Sequence, residues 1–445
     1  MSDFEENTLA SLVYGGRPIT YGIVQPGPDI SPDGIPLIRG KDYSSGKVAT
    51  EGLYHVHPAI DQPYSRSKVL GGDLLFSIVG YVGLTAQVPE ELEGANITQT
   101  TARLSIDPNR ADSTYVFHFL SSPHYRPEIT RYEKGSAQPG LNLSDVQKLK
   151  VRHPKIPQQR RIATILTTLD EEIEATEALI AKHQQIKAGL MHDLFTRGLW
   201  TQAELARGDH KGLSCEANAK PGHLRPTSEE APGLYQDSPL GVIPKSWQVE
   251  PIGTIFDIQL GKMLNKMAKS GRYSAPYLGN RAVQWDSVDL SALEEMDFSP
   301  TEREKFSLRE GDLLVCEGGD VGRTAIWRGE LENCFYQKAI HRLRPKTDEA
   351  NPAFMLRFMR YAKEGGQFSD FTSQSSIAHL TQEKLASMPM LLPQPDEQSE
   401  MVVRFDGIDI KIATETTHLA KLRQQKQGLM HDLLTGRVRV DLSSK

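Results

Sequence analysis

Cysteine is scarce in this chain: three occur in 445 residues, Cys215, Cys316 and Cys334. They form no CxxC pair and no metal-ligand spacing, so neither a disulfide framework nor a cysteine-held metal is encoded. No run of about 18 apolar residues occurs, which excludes a membrane-spanning helix. Positive charge is not in excess, since 51 Lys and Arg stand against 57 Asp and Glu, for a net charge of −6. That disfavours a stand-alone polyanion binder, because neutralising phosphates needs surplus Lys and Arg, unless local patches or a partner supply the field. The first residues, Met1 to Glu6, are acidic and lack the basic and apolar regions of a signal peptide. With few cysteines as well, the expected compartment is the cytoplasm.

Catalytic constellations are missing too. The nearest match to a methylase Asp/Asn-Pro-Pro-aromatic motif is Asn351-Pro352-Ala353-Phe354, with Ala in its third position and no FxGxG-type cofactor loop before it. It reads better as a helix cap, with Pro at an early helical position. His55-Val56-His57 has no third ligand at zinc spacing and reads as surface histidines. Gly318-Gly319-Asp320-Val321-Gly322 and Val79-Gly80-Tyr81-Val82-Gly83 lack the Lys-Ser/Thr of a phosphate loop and read as tight strand-to-strand turns. Met-His-Asp at 191–193 and 430–432 falls in the last turns of two helices, where His suits the helix dipole.

What the chain does have is a copy of itself. Gly72-Asp73-Leu74-Leu75 recurs as Gly311-Asp312-Leu313-Leu314, 239 positions on. Gly80, Val82, Gly83, Thr85 and Ala86 answer Gly319, Val321, Gly322, Thr324 and Ala325. Gly189 to Leu194 recurs as Gly428 to Leu433 at the same offset. The repeat is too long for a solenoid and implies a whole domain plus a helix, copied once.

Residues 1–155 predict a first mixed α/β domain, with short strands such as Pro36–Arg39 and Asp73–Val79 between Gly and Pro turns. A long helix is predicted over 156–198. Its seam is Ile162, Leu166, Leu169, Ile173, Ile180, Leu190 and Leu194, with Thr176 and His183 at two further seam positions, and Gly198 ends it. Residues 199–240 read as a linker with one short helix at most. A second α/β domain covers 241–392, and a second long helix 393–436 with the seam Met401, Phe405, Ile408, Ile412, Leu419, Leu422, Leu429 and Leu433; residues 437–445 form a tail. Each helix, at about 38 residues, spans roughly 57 Å. Two matched seams most simply bury each other as a coiled coil.

Basic, polar and aromatic residues gather in the loops of both domains. They are Arg39, Lys41, Tyr43, Lys47, Tyr64, Arg66 and Lys68 in the first, and Lys262, Lys266, Lys269, Arg272, Tyr273, Asn280, Arg281, Trp285 and Arg323 in the second. Gln138 and, at matched places, Gln374 and Ser375 extend the set. Lys and Arg anchor phosphates, and Arg, Asn and Gln read base edges.

The order and duplication of these blocks resemble the specificity (S) subunit of type I restriction–modification enzymes, over nearly the whole chain. The most specific elements are the GDLL…G.VG.TA blocks, the Gly241-Val242-Ile243-Pro244-Lys245-Ser246-Trp247 lead-in to the second domain, and the two long helices, each preceded by a Pro-rich string with a shared Gln (Gln159 and Gln398). The resemblance implies two target recognition domains, each reading one half of a split, asymmetric sequence in double-stranded DNA, and two helices pairing as an antiparallel coiled coil. It implies two modification (methyltransferase) subunits docked on the helices, holding the S-adenosylmethionine that this chain lacks, with restriction (helicase-nuclease) subunits as further partners and no catalytic site here. The first domain departs from the pattern in lacking the Ile-Pro-x-x-Trp lead-in. The rival readings are a single-chain methyltransferase-like enzyme acting through Asn351, and a coiled-coil adaptor that binds no DNA.

Overall fold

A computed structural model describes residues 4–44, 46–135, 139–212, 219–264, 271–291, 293–368 and 379–441. The chain divides into two compact units, residues 1–179 with 415–445, and residues 180–414. Each is mixed α/β.

In the first unit a six-stranded sheet runs in the order Thr20–Tyr21, Thr101–Leu104, Leu74–Ser77, Thr85–Gln87, Lys47–Val48, Tyr43–Ser44. A three-stranded sheet places Ile35–Ile38 between antiparallel Tyr54–Val56 and parallel Asn96–Ile97. The second unit repeats this frame. Phe256–Leu260, Ile340–Pro345, Leu313–Cys316 and Thr324–Ile326 form a four-stranded sheet, and Ser274–Leu278 lies between antiparallel Glu294–Asp297 and parallel Phe335–Tyr336. The small hairpin Tyr43–Ser44/Lys47–Val48 has its match in Val283–Gln284/Ser287–Val288.

The repeated sequence blocks are structural. Asp73 and Asp312 each close the turn before a central strand, accepting from the backbone N–H of Leu70 at 2.8 Å and of Arg309 at 2.7 Å. Each buried carboxylate is then neutralised from a different place in the chain, by Arg17 at 2.9 Å and by Arg344 at 2.6 Å. The glycine-rich segments join antiparallel strands, as expected. Gly83 (φ 85°) and Gly322 (φ 81°) hold the left-handed conformation, and a Cβ on Gly322 would lie 2.6 Å from the Phe368 ring.

The long helices are Ile156–Thr196 and Pro395–Leu434. In the first unit residues 156–179 run opposite 415–434: Glu177 pairs with Arg423 at 2.7 Å, Glu172 faces His418 at 3.5 Å, and Asp170 pairs with Lys426. In the second unit Lys187 pairs with Asp409 at 2.5 Å and Phe195 stacks on Phe405 at 5.8 Å between ring centres. Later residues of one helix meet earlier residues of the other in both units, so the pairing is antiparallel. Of the seam, Ile162, Leu166, Met401, Phe405, Ile408, Leu419 and Leu422 are buried, and Leu169, Ile173, Ile180, Leu190, Ile412 and Leu429 are half-buried. The helix ends also enter the domain cores: Ile162, Leu166, Met430 and Leu433 pack with Tyr115 and Val116, and Leu194, Phe195, Met401 and Phe405 with Phe354 and Phe358.

The shared glutamines make that junction. Gln159 and Gln398 are fully buried at the start of the long helices. Gln159 Oε1 accepts from Asp112 N at 2.8 Å and its Nε2 donates to Pro154 O at 2.8 Å. Gln398 Oε1 accepts from Asn351 N at 2.9 Å and its Nε2 donates to Pro393 O at 2.8 Å. Asp112 and Asn351 in turn cap the matched helices Ser113–Leu120 and Pro352–Glu364. Asn351-Pro352 is therefore a cap followed by an N1 proline, as its sequence indicates.

The stretch read as a linker, 199–240, holds one short capped helix, Gln202–Arg207, and also a strand, Tyr235–Ser238, that pairs with Gly241–Pro244 at the start of the second domain. Leu199, Trp200 and Arg225 are buried within the second unit. Arg225 bridges Glu204 at 2.7 Å and Glu397 at 2.6 Å, and Trp247 Nε1 donates to Glu397 at 3.0 Å. Widely spaced charges in a Pro- and Gly-rich stretch carry no periodicity, so this packing left little sequence signal.

Candidate nucleic-acid interface

In the first unit the chain leaves the strand Ile35–Ile38 at Arg39. Asp42 accepts from Arg39 Nε at 2.8 Å and Nη2 at 3.1 Å, and the guanidinium lies 4.9 Å from the Tyr54 ring centre. The hydrogen bond to Asp42 raises the Arg39 pKa. Its charge is thus spent locally. Lys41 is exposed on the following turn. Tyr43 points inward: it is 2% exposed and its hydroxyl lies 3.0 Å from Thr101 Oγ1. Burial raises its pKa, and a ring in that core presents no atom to a nucleic acid, which corrects the expectation for this residue. Lys47, at the hairpin tip, pairs with Glu174 of the first long helix. Tyr64 is half-buried, Arg66 is exposed, and Lys68 is paired with buried Asp61 at 2.9 Å.

In the second unit Arg272 and Tyr273 are exposed side by side, the guanidinium 5.3 Å from the ring centre. Arg281 is exposed. Asn280 Nδ2 donates to Gly318 O at 3.1 Å, and Asn280 O accepts from Arg323 Nη2 at 2.7 Å. Asn280 and Arg323 therefore tie the strand-exit loop to the glycine turn. Trp285 Nε1 donates to Asp320 on that turn at 2.8 Å. Lys262 corrects another expectation. It is 12% exposed, donates to Asp297 O at 2.6 Å and Glu302 at 2.7 Å, and lies over the Phe298 ring. It braces the domain and is not free for phosphate. Gln138, Lys266, Lys269, Gln374 and Ser375 lie outside the described residues.

The exposed cations that remain are Lys41 and Arg66 in one unit and Arg272 and Arg281 in the other. The first unit also holds a cleft of about 1640 Å³ between the small hairpin, the helix Ser113–Leu120 and the long helices. Lys47, Arg126, Arg160, Arg423 and Lys426 line it together with Asp112, Asp170, Glu171, Glu174 and Glu177. A wall so balanced in charge has no net field for a polyanion. Among the described residues no His, Cys, Asp and Glu cluster could hold a metal ion, and no helix is long and apolar enough to cross a membrane.

Sequence reasoning missed the basic stripe Arg357, Arg360 and Lys363 on the helix Pro352–Glu364. Arg360 lies over the Trp285 ring at 4.4 Å and pairs with Asp286 at 3.3 Å, and Lys363 pairs with Asp320 at 2.9 Å. The three-residue spacing of those cations on an amphipathic helix was the available signal.

Comparison with known proteins agrees with this frame. The family described as type I restriction modification DNA specificity domain matches residues 34–184 and 244–424. The type I restriction enzyme EcoBI specificity subunit of Escherichia coli is 32% identical over 218 residues, 49% of this chain and 44% of that protein, so the match spans less than half of the relative. The putative type I restriction enzyme MjaX specificity subunit of Methanocaldococcus jannaschii is 22% identical over 92% of this chain and 88% of its own length. The crystal structure of a type I restriction–modification system S subunit from M. genitalium shares the fold, with a TM-score of 0.56 at 15% identity, covering 99% of this chain and 97% of that one. With two matched segments that together span most of its length, the chain belongs to the type I restriction–modification DNA specificity family.

Proposed function

We propose that this chain is the DNA-recognition subunit of a type I restriction–modification complex, without a catalytic site of its own. Each globular domain reads one half of a split target. The antiparallel helices set the separation of the halves and dock two modification subunits, which hold S-adenosylmethionine and methylate adenine. The observation that carries the reading is one frame built twice with different loop residues. In the hairpin, where the copies match 240 residues apart, Gly40 answers Asn280, Gly46 answers Asp286 and Lys47 answers Ser287, and on the glycine turn Tyr81 answers Asp320. Identical half-sites would call for matching loops, so the target is asymmetric. Lys41, Arg66, Arg272 and Arg281 are the contact residues that exposure favours.

The test is co-expression with the modification subunit in a methylation-free host, followed by sequencing that detects N6-methyladenine. A split motif with a fixed spacer is expected. Removing one heptad from both helices shortens the pair by about 10 Å, which corresponds to about three base pairs of DNA. Both half-sites should survive and the spacer should shrink. Full activity on the original spacer would refute the ruler, and a stable complex that adds no methylation would favour the adaptor.

A further inference from the structure

The duplication carries a contact that the recognition reading does not use. In the first unit His118, on the helix Ser113–Leu120, meets the first long helix. Its Nε2 lies 3.1 Å from Thr167 Oγ1 and its Nδ1 3.8 Å from Asp170. Asp170 is paired with Lys426 of the second long helix. In the second unit the positions of His118, Thr167 and Asp170 recur 239 residues on, and that of Lys426 recurs 239 residues back, at Lys187. Arg357, on the helix Pro352–Glu364, donates to Asp406 at 2.9 Å and lies 2.8 Å from Asp409. Asp409 is paired with Lys187 at 2.5 Å. At matched positions each domain thus meets a long helix through a basic side chain that contacts two residues three apart.

The two mounts differ in chemistry. Burial, with Lys426 adding to it, pushes the His118 pKa down to about 3, so its ring is neutral near pH 7. Arg357 keeps its charge at any relevant pH. Its side chain is 10% exposed and reaches a third carboxylate, Asp286, at 3.7 Å. Asp286 sits at the turn of the hairpin 283–288 with φ 66°, a conformation that favours glycine. Arg360 pairs with the same carboxylate at 3.3 Å and covers Trp285. The first unit has Gly46 and Ser121 where the second has Asp286 and Arg360, and both of those small residues line its open cleft. The second hairpin is therefore locked to a long helix through Arg357, next to the candidate contact residues Asn280 and Arg281. Among the described residues of the first unit, the ion pair of Lys47 with Glu174 is what joins the hairpin tip to a long helix.

We propose that Arg357 is a positioning residue for the second half-site. It fixes the hairpin 283–288 against the long helix, and so sets the geometry in which that half-site is read, while His118 gives the first domain a weaker, neutral mount. The proposal rests on the split-target reading.

The test uses the complex assembled with modification subunits. The DNA library carries the methylated motif with single mismatches in either half and with spacers one base pair longer or shorter. In R357Q, methylation of second-half mismatches relative to the cognate should rise about tenfold, of the order that one bidentate base pairing supplies. The altered spacers should also become substrates, first-half discrimination should hold, and R357K should restore most of the profile. D286N, which removes only the hairpin side of the mount, should relax second-half discrimination alone and covers the case in which R357Q does not fold. An unchanged profile in the folded variants, or equal relaxation of both halves, overturns the proposal. A wild-type complex that methylates no split motif overturns the split-target reading, and the proposal with it.

Discussion

Replacing Arg225 with Met keeps most of the side-chain volume and removes the one cation between two buried carboxylates. Arg225 is 1% exposed, Glu204 7% and Glu397 0%. Glu397 keeps donors from Trp247 Nε1 and Leu199 N, at 3.0 and 2.7 Å, and Glu204 keeps Thr201 N at 2.9 Å. Those bonds do not compensate two negative charges. Breaking a buried ion pair by deleting one partner costs about 3–5 kcal/mol. In a unit of this size each kcal/mol moves the melting midpoint by about 2–4 °C, so the midpoint should fall by roughly 6–20 °C. Trp200, Trp247, Trp285 and Trp327 are the four tryptophans of the chain, and all lie in the second unit, so a fluorescence melt follows that unit. Burial already raises the Glu397 pKa with Arg225 present. Without Arg225 it rises further, and the deficit should shrink as the pH is lowered and the carboxyl takes up its proton. Combining R225M with E204Q and E397Q should recover much of the loss, because no unpaired charge remains. A midpoint within about 3 °C of wild type for R225M alone, against the several degrees each kcal/mol is worth, would show that the triad contributes nothing net.

Three further expectations follow from the same geometry. Gln398→Ala leaves Asn351 N and the carbonyls of Glu349 and Pro393 without their partner, and should cost about 1–3 kcal/mol in urea unfolding, with Gln159→Ala costing a similar amount in the first unit. His118 is held neutral in the folded state and takes up a proton when unfolded, so its contribution is present above about pH 6.5 and is lost as the pH falls toward 3; H118Q should remove a slope of up to about 1.4 kcal/mol per pH unit from the stability profile in that window. Joint R272A and R281A should lower the salt dependence of DNA binding by up to about 0.9 in log–log slope for each phosphate these arginines neutralise, whereas K262A should lower the melting midpoint and leave that slope unchanged.

Much of the scaffold was legible because its signals are local. A constant offset between short blocks revealed the duplication, and the matched strands follow it from Leu74 and Leu313 to Lys150 and Pro389. The helices announced themselves by heptad spacing, and Asn351-Pro352 by cap chemistry. The interface was less legible. Arg39, Tyr43, Lys262 and Arg323 are residue types that suit DNA contact, but Asp42, Thr101, Glu302 and the carbonyl of Asn280 already engage them. Whether a cation is free depends on neighbours distant in sequence, and composition does not record those. Gln398 shows the same limit from the other side. It stood out as a landmark, yet its role rests on a backbone N–H 47 residues away.

The repeat in the sequence is not the repeat in the structure. The copied segment is a domain followed by a helix, but each compact unit takes the start of one long helix and the end of the other. Met430, Leu433 and Leu434, near the end of the chain, belong to the same core as Leu9, Val116 and Leu166. Leu194 and Phe195, from the end of the first copy, belong with Phe354, Met401 and Phe405 of the second. Neither copy alone supplies a complete core, since apolar seam residues left without the opposite helix would face water. Burial thus constrains the helix seams, the two glutamines and the glycine turns, while the loops at Gly40 and Asn280 or at Lys47 and Ser287 are free to diverge. A frame of that kind lets the loops of one domain change without disturbing the mount of the other.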